Sequence, residues 1–192
     1  MRRTVMLAAG LFAGLVMASA AQAAQDTSIF LYAPGHASSD GRPLVSPIPR
    51  ETITYQGPYS PGTIVVNTSE RRLYYVLPDH SAIKYGVGVG RPGFTWAGHS
   101  HIANKREWPD WTPPPQMLKR RPDLPRHMEG GIDNPLGARA MYIAGTLFRI
   151  HGSNEPDTIG QAVSSGCIRM TNDDVTDLYG RVKVGAPVIV LR

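Results

Sequence analysis

Thr63-Ile64-Val65-Val66-Asn67, Arg72-Leu73-Tyr74-Tyr75-Val76-Leu77 and Ile83-Lys84-Tyr85-Gly86-Val87-Gly88-Val89 follow one another with only short polar breaks between them. Each run is too short for a stable helix and is rich in β-branched and aromatic residues, which suit a pleated surface. The breaks, Asn67-Thr68-Ser69-Glu70 and Pro78-Asp79-His80, carry turn formers, so the spacing predicts two hairpins of an antiparallel meander. Gly86, Gly88 and Gly90 alternate with valines, a pattern open to a phosphate-cradle reading. Such a cradle opens a helix, whereas Pro92-Gly93 follows here. The glycines therefore predict a strand approached closely by other backbone.

Further along, Ala140-Met141-Tyr142-Ile143-Ala144 and Leu147-Phe148-Arg149-Ile150-His151 read as a hairpin turning at Gly145-Thr146. Thr171-Asn172-Asp173-Asp174 resembles a capping box and predicts a short helix with Val175, Leu178, Tyr179 and Val182 on one face. Gly185-Ala186-Pro187 turns the chain into a last strand, Val188 to Leu191. Twenty glycines and 17 prolines in 192 residues fit this turn-rich, mainly β reading and count against a helical bundle. Residues 104–139 read as one long connection containing Trp108, Trp111, Pro113-Pro114-Pro115 and Lys119-Arg120-Arg121. Connections of that length tend to be lids or binding elements, and the alternative is a surface excursion pinned to the core by its tryptophans.

Upstream, residues 24–62 are rich in Pro, Gly and Ser without sustained periodicity, which predicts an extended, partly disordered leader or tether. Residues 1–23 combine Arg2 and Arg3, an apolar run from Val5 to Met17 and the Ala21-Gln22-Ala23 cleavage pattern, the organisation of a secretory signal peptide. The run is shorter than the ~20 residues needed to span a bilayer, so no permanent membrane anchor is expected. The net charge of +5 is spread without a run of five or six like charges, which argues against a nucleic-acid partner.

The chain has a single cysteine, Cys167, so an internal disulfide or a multi-cysteine metal site is excluded. A lone thiol in an exported chain is open to oxidation and points to a reactive role. His151-Gly152 and, thirteen residues after His151, Ser164-Ser165-Gly166-Cys167-Ile168-Arg169-Met170 form the densest chemical signal. A thiol needs a base or a positive field to become a nucleophile, and a histidine at a strand end supplies the base. Gly166 lets backbone N–H groups turn toward a developing oxyanion. By themselves a cysteine and a distant histidine also fit a small buried hydrophobe and a satisfied core imidazole. His99, His101 and His127 lack acidic or cysteine partners at ligand spacing, so no metal is expected.

This combination resembles the active-site signature of the L,D-transpeptidase (YkuD-type) family of bacterial cell-wall enzymes. The resemblance spans about Thr63 to Arg192, and includes Lys105-Arg106-Glu107-Trp108-Pro109-Asp110-Trp111-Thr112-Pro113-Pro114 and Asn134-Pro135-Leu136-Gly137. It implies a β-sandwich or barrel with one or two short helices and a long lid loop. It further implies a cofactor-free acyl transfer in the periplasm on peptidoglycan stem peptides. Cys167 would attack the meso-diaminopimelate carbonyl of a tetrapeptide, expel D-Ala, and pass the acyl group to an amine of another stem or of an outer-membrane protein. Under the resemblance His151 is the base, the Gly152 carbonyl orients it, and backbone N–H groups of Ser165, Gly166 and Cys167 form the oxyanion hole. Arg169 would brace the loop or meet a substrate carboxylate, and Ser164, Tyr142, Trp108 and Trp111 would line the substrate site. Many members carry histidine where this chain has Ser165. A thiolate stabilised by His151 or by backbone dipoles would titrate below a free thiol. A hydrolase acting on the same stems, and a non-catalytic wall-binding module, are the rival readings.

Overall fold

The β-branched runs of 63–89 form three neighbouring antiparallel strands, β2 (Ile64–Asn67), β3 (Arg72–Leu77) and β4 (Ser81–Gly86), with Val65 opposite Tyr74 and Leu73 opposite Tyr85. The computed structural model describes residues 46–192; the expected signal peptide and residues 24–45 of the leader lie outside the described residues. Ile64, Val66, Leu73 and Tyr85 face the main core, while Val65 and Val76 meet Ile189 on the other face. Burial on both faces explains the unbroken Ile-Val-Val run in β2.

The remaining elements are β1 (Glu51–Thr54), β5 (Val89–Gly90), β6 (Gly98–Glu107), α1 (Pro115–Arg120), β7 (Arg139–Ile143), β8 (Arg149–His151), β9 (Ala162–Ser164), β10 (Ile168–Arg169), α2 (Asn172–Arg181) and β11 (Pro187–Leu191). Nine strands make one sheet in the order β1-β4-β3-β2-β11-β6-β7-β8-β10, and β5 pairs with β9. The chain leaving β4, near one end of that order, meets β10 at the other end. Gly88 and Arg169 exchange both backbone hydrogen bonds, at 2.9 and 2.8 Å. This bridge curls the sheet around a core in which Tyr85, Val87 and Val89 lie with Ile150, Ile168 and Met170. Gly88 tolerates the approach because it has no side chain: a Cβ there would stand 3.0 Å from the Thr158 carbonyl and 3.3 Å from Arg169 Cβ.

Helix α2 packs Val175 and Leu178 into the same core. The Thr171 hydroxyl accepts from the Asp174 N–H at 3.2 Å, the expected N-cap. At its other end the Lys105 ammonium donates to the carbonyls of Tyr179 and Val182, at 2.6 Å each, and lies 4.0 Å from the centre of the Tyr179 ring.

Two expectations change. The 104–139 connection begins later, because Asn104 to Glu107 are the end of β6, paired with β7. Only Ile102 in this ten-residue strand is buried, so its pairing comes from β11 and β7 and not from a hydrophobic pattern. Also, the leader's last part is not a free tether: Glu51–Thr54 pair antiparallel with Ser81–Lys84. These four residues are largely exposed, and backbone pairing with an otherwise open edge orders them.

Candidate active site

Strands β8 and β10 run parallel, with Ile150 beside Ile168 and His151 beside Arg169. Alternation sends Ile150 and Ile168 into the core, so Arg149, His151 and Arg169 share the opposite face, with Cys167 at the mouth of β10 in register with Arg149. Strand β7 adds Tyr142 opposite Arg149 and Ala140 opposite His151. The twelve residues between His151 and Ser164 therefore form the crossover that brings the two motif halves side by side. The Met170 N–H donates to the His151 carbonyl (2.9 Å) and the Gly152 N–H to the Arg139 carbonyl (3.0 Å), fixing the strand ends.

His151 is 4% exposed. Its Nδ1 lies 2.5 Å from the Gly152 carbonyl oxygen. A carbonyl only accepts, so Nδ1 carries the proton and Nε2 is left with its lone pair. Burial first, then the charges of Arg169 and Arg149, push the imidazole pKa down to about 3, against the pull of the Gly152 and Pro135 carbonyls. The histidine is neutral at pH 7. Cys167 is half-buried. Burial pushes its thiol up, opposed by the Arg149 charge, the Arg149 backbone N–H and the Arg169 charge. The expectation of a thiol titrating below a free cysteine is thus reversed, because lost hydration outweighs the local positive field.

The nucleophile loop is braced from within. Ser164 is 2% exposed, its hydroxyl donates to the Cys167 carbonyl (2.7 Å), and the Gly166 N–H donates back to it (3.1 Å). Ser164 therefore shapes the turn and does not face substrate, and the Gly166 N–H is already engaged. Gly166 has φ +107, and a Cβ there would fall 2.3 Å from the Phe148 ring. That ring stacks on Trp96 with centroids 5.1 Å apart, and the Trp96 indole N–H donates to the Gly166 carbonyl at 3.2 Å. Trp96 and Phe148 are site-shaping residues that the sequence did not single out. Phe148 sits in a strand-like run that reads as core, and Trp96 carries no motif.

Arg169 pairs with Glu155 at 2.8 Å, so it braces the loop. Trp111 is 7% exposed and its backbone bridges Met128, which makes it a pin for the loop and not a substrate contact. Trp108 is 43% exposed at the loop's start, with φ +38. Asn134, 1% exposed, ties the same loop together by donating to the carbonyls of Pro109, Met128 and Glu129 and accepting from the Leu136 N–H. Helix α1 in this loop sets Arg120 over the Phe94 ring, 5.5 Å from its centre, beside the segment that carries Trp96. Among the described residues no three His, Cys, Asp or Glu side chains converge as a metal set.

Residues 61–190 match the family described as the L,D-transpeptidase catalytic domain (YkuD). The chain belongs to that family. It is 41% identical over 137 residues to the probable L,D-transpeptidase ErfK/SrfK of Escherichia coli, a match covering 67% of this chain and 43% of the relative. The chain thus spans less than half the length of that relative. The solved catalytic domain of the Enterococcus faecium L,D-transpeptidase is 25% identical, with TM-score 0.53 over 70% of this chain and all of the other. A Brucella melitensis structure described as a probable carnitine operon oxidoreductase is 44% identical, with TM-score 0.51 over 76% of this chain and 94% of the other. In the present chain Gly86 to Gly90 run through strands with no helix after them, which is not the turn of a dinucleotide site.

Proposed function

We propose that this L,D-transpeptidase family member is an exported cysteine acyltransferase acting on peptidoglycan stem peptides. The observation that carries the reading is the shared face of β8 and β10, where Cys167 stands diagonally from a neutral His151 whose Nδ1–H is held by the Gly152 carbonyl. The His151 Nε2 accepts the thiol proton as sulfur attacks the meso-diaminopimelate carbonyl of a tetrapeptide. The N–H groups of Ser165 and Cys167 stabilise the oxyanion, without Gly166. Collapse breaks the amide, the imidazolium returns its proton to the D-Ala amine, and a Cys167 thioester remains. An amine then attacks the thioester, giving a 3-3 cross-link or a wall-tethered outer-membrane protein.

Both protonation states suit this sequence. A neutral thiol beside a neutral imidazole requires no ion pair at rest, and proton transfer occurs together with attack. Residues 1–23 act as the export signal in this reading, and the catalytic unit begins with the strand at Glu51. Periplasmic placement fits a polymer that lies outside the cytoplasmic membrane. No helix among the described residues is long and apolar enough to cross a membrane.

Incubating the protein with a diaminopimelate tetrapeptide muropeptide and following both by mass spectrometry tests the proposal, with Cys167→Ala alongside. A Cys167 adduct with cross-linked dimer supports transpeptidation, whereas trimmed monomer alone assigns a hydrolase. Unchanged substrate with no adduct, together with retention on intact wall, would leave a wall-binding module.

A further inference from the structure

Two arginines flank Cys167, and they differ in one respect. Arg169 is paired with Glu155, while Arg149 has no carboxylate partner among the described residues. Its Nε is buried without any hydrogen-bond partner. Arg139 Nε is likewise buried and unpartnered, but that side chain pairs with Glu107 at 3.2 Å, whereas the charge of Arg149 has no carboxylate to match it and is left for an anion at the thiol. Tyr142 lies opposite Arg149 on β7, and the guanidinium stands 5.5 Å from the centre of that ring, which supports it from one side.

Position defines what Arg149 would meet. It precedes Ile150 as Cys167 precedes Ile168, the partner of Ile150 on the adjoining strand, both its charge and its backbone N–H act on the thiol, and neighbouring strands lie about 4.8 Å apart. In a chain cut at its last amide, the terminal carboxylate is one residue beyond the scissile carbonyl, about 3.8 Å along the backbone. The side-chain carboxylate of diaminopimelate is several bonds further away. Arginine is also the residue whose planar fork matches a carboxylate.

We propose that Arg149 is a specificity-determining residue that binds the terminal carboxylate of the leaving D-Ala beside Cys167. The inference rests on the stem-peptide reading above and deepens it: a donor whose last residue is not the one expelled places no carboxylate at this distance.

Two measurements on the full chain, with Arg149→Gln and Arg149→Lys, test it. The first compares alkylation of Cys167 by iodoacetate and by iodoacetamide. In both, sulfur displaces iodide from the same thiolate, so their rate ratio cancels any change in thiol pKa and isolates the carboxylate. The expected ratio exceeds that of a free thiol, falls on the order of tenfold or more in Arg149→Gln, and is partly kept in Arg149→Lys. The second compares acylation by a tetrapeptide acid, by its C-terminal amide, and by a tetrapeptide amidated on the diaminopimelate side chain. Wild type is expected to favour the acid over the C-terminal amide by a similar factor, with the preference lost in Arg149→Gln. An alkylation ratio unchanged by Arg149→Gln overturns the proposal. So does a variant that instead ceases to distinguish the side-chain amide. An Arg149-dependent alkylation ratio with no acylation by any donor keeps the carboxylate site and removes the stem-peptide reading; equal acylation by acid and C-terminal amide does the reverse.

Discussion

Adding a single methyl group at Gly166 tests how the nucleophile loop is built. In Gly166→Ala the new Cβ would sit 2.3 Å from the edge of Phe148 in a backbone at φ +107. The conformational part costs about 1–3 kcal/mol for a residue with a side chain. Relief of the clash requires Phe148 to move, yet Trp96 stacks on that ring at an interplanar angle of 10° and is itself tied to the Gly166 carbonyl. Overpacking of this kind adds about 1–3 kcal/mol. The sum, about 2–6 kcal/mol, is a large share of the stability of a typical domain, about 5–15 kcal/mol. Two outcomes are therefore expected together: a lower denaturation midpoint, and loss of acylation from displacement of the Ser165 and Cys167 N–H groups. Urea unfolding and mass-spectrometric acylation read them separately. Adding Phe148→Leu should recover the steric part and leave the dihedral part, giving a positive coupling between the two sites. A Gly166→Ala protein with wild-type stability and acylation rate would refute this account of the loop.

Four further outcomes follow from the geometry. Because burial raises the Cys167 thiol, the pH midpoint of its alkylation by iodoacetamide should lie above that of free cysteine; a midpoint below it would count against a neutral resting pair. His151 has a folded pKa below its unfolded value, so the unfolded chain binds more protons and stability should fall as pH drops from about 6.5 toward 3. That slope should flatten in His151→Asn, as measured by urea midpoints across the range. Trp96→Phe keeps a ring against Phe148 but removes the donor to Gly166, with an expected loss of about 1 kcal/mol in stability and slower acylation. Lys105→Met leaves the Tyr179 and Val182 carbonyls without their ammonium donor, and should cost about 2–3 kcal/mol while Cys167 still alkylates at the wild-type rate.

The meander, the 140–151 hairpin, α2 and the last strand were legible because each carries its own pattern: β-branched runs, a Gly-Thr turn, a Thr cap, a Gly-Ala-Pro break. Strand β6 was not. Gly98-His99-Ser100-His101-Ile102 has almost no apolar signal, and its strand character comes from β7 and β11 on either side. Strand β1 was hidden for the same reason. In the site, Cys167, His151, Gly152 and Arg169 stand in one compact motif, so the sequence marks them. Their protonation was not readable, because it depends on how much water the fold removes. Ser164 reads as polar and available, but its hydroxyl is enclosed by two bonds within its own loop. Arg149 lies two residues before the His-Gly motif, and only the β8–β10 register places it beside the thiol.

The two arginines and the burial act on Cys167 and His151 in a coherent way. Burial disfavours both charged forms, so at rest sulfur keeps its proton, and a neutral thiol is a poor target for oxidants. That matters for a lone cysteine if, as proposed, the chain is exported to an oxidising compartment. The positive charges of Arg149 and Arg169 favour a thiolate and disfavour an imidazolium. In the proposed acyl transfer they support the negative charge that develops on the carbonyl oxygen as sulfur attacks. Once the proton has passed to His151, the same charges make the imidazolium a strong acid. Its proton is then driven toward the departing amine, which must be protonated for the amide to break. A resting pair of ions would reverse this order, stabilising the state that precedes bond cleavage and slowing it. The neutral pair therefore fits both the proposed compartment and the proposed chemistry, with the arginine charges acting after a donor has supplied the carbonyl.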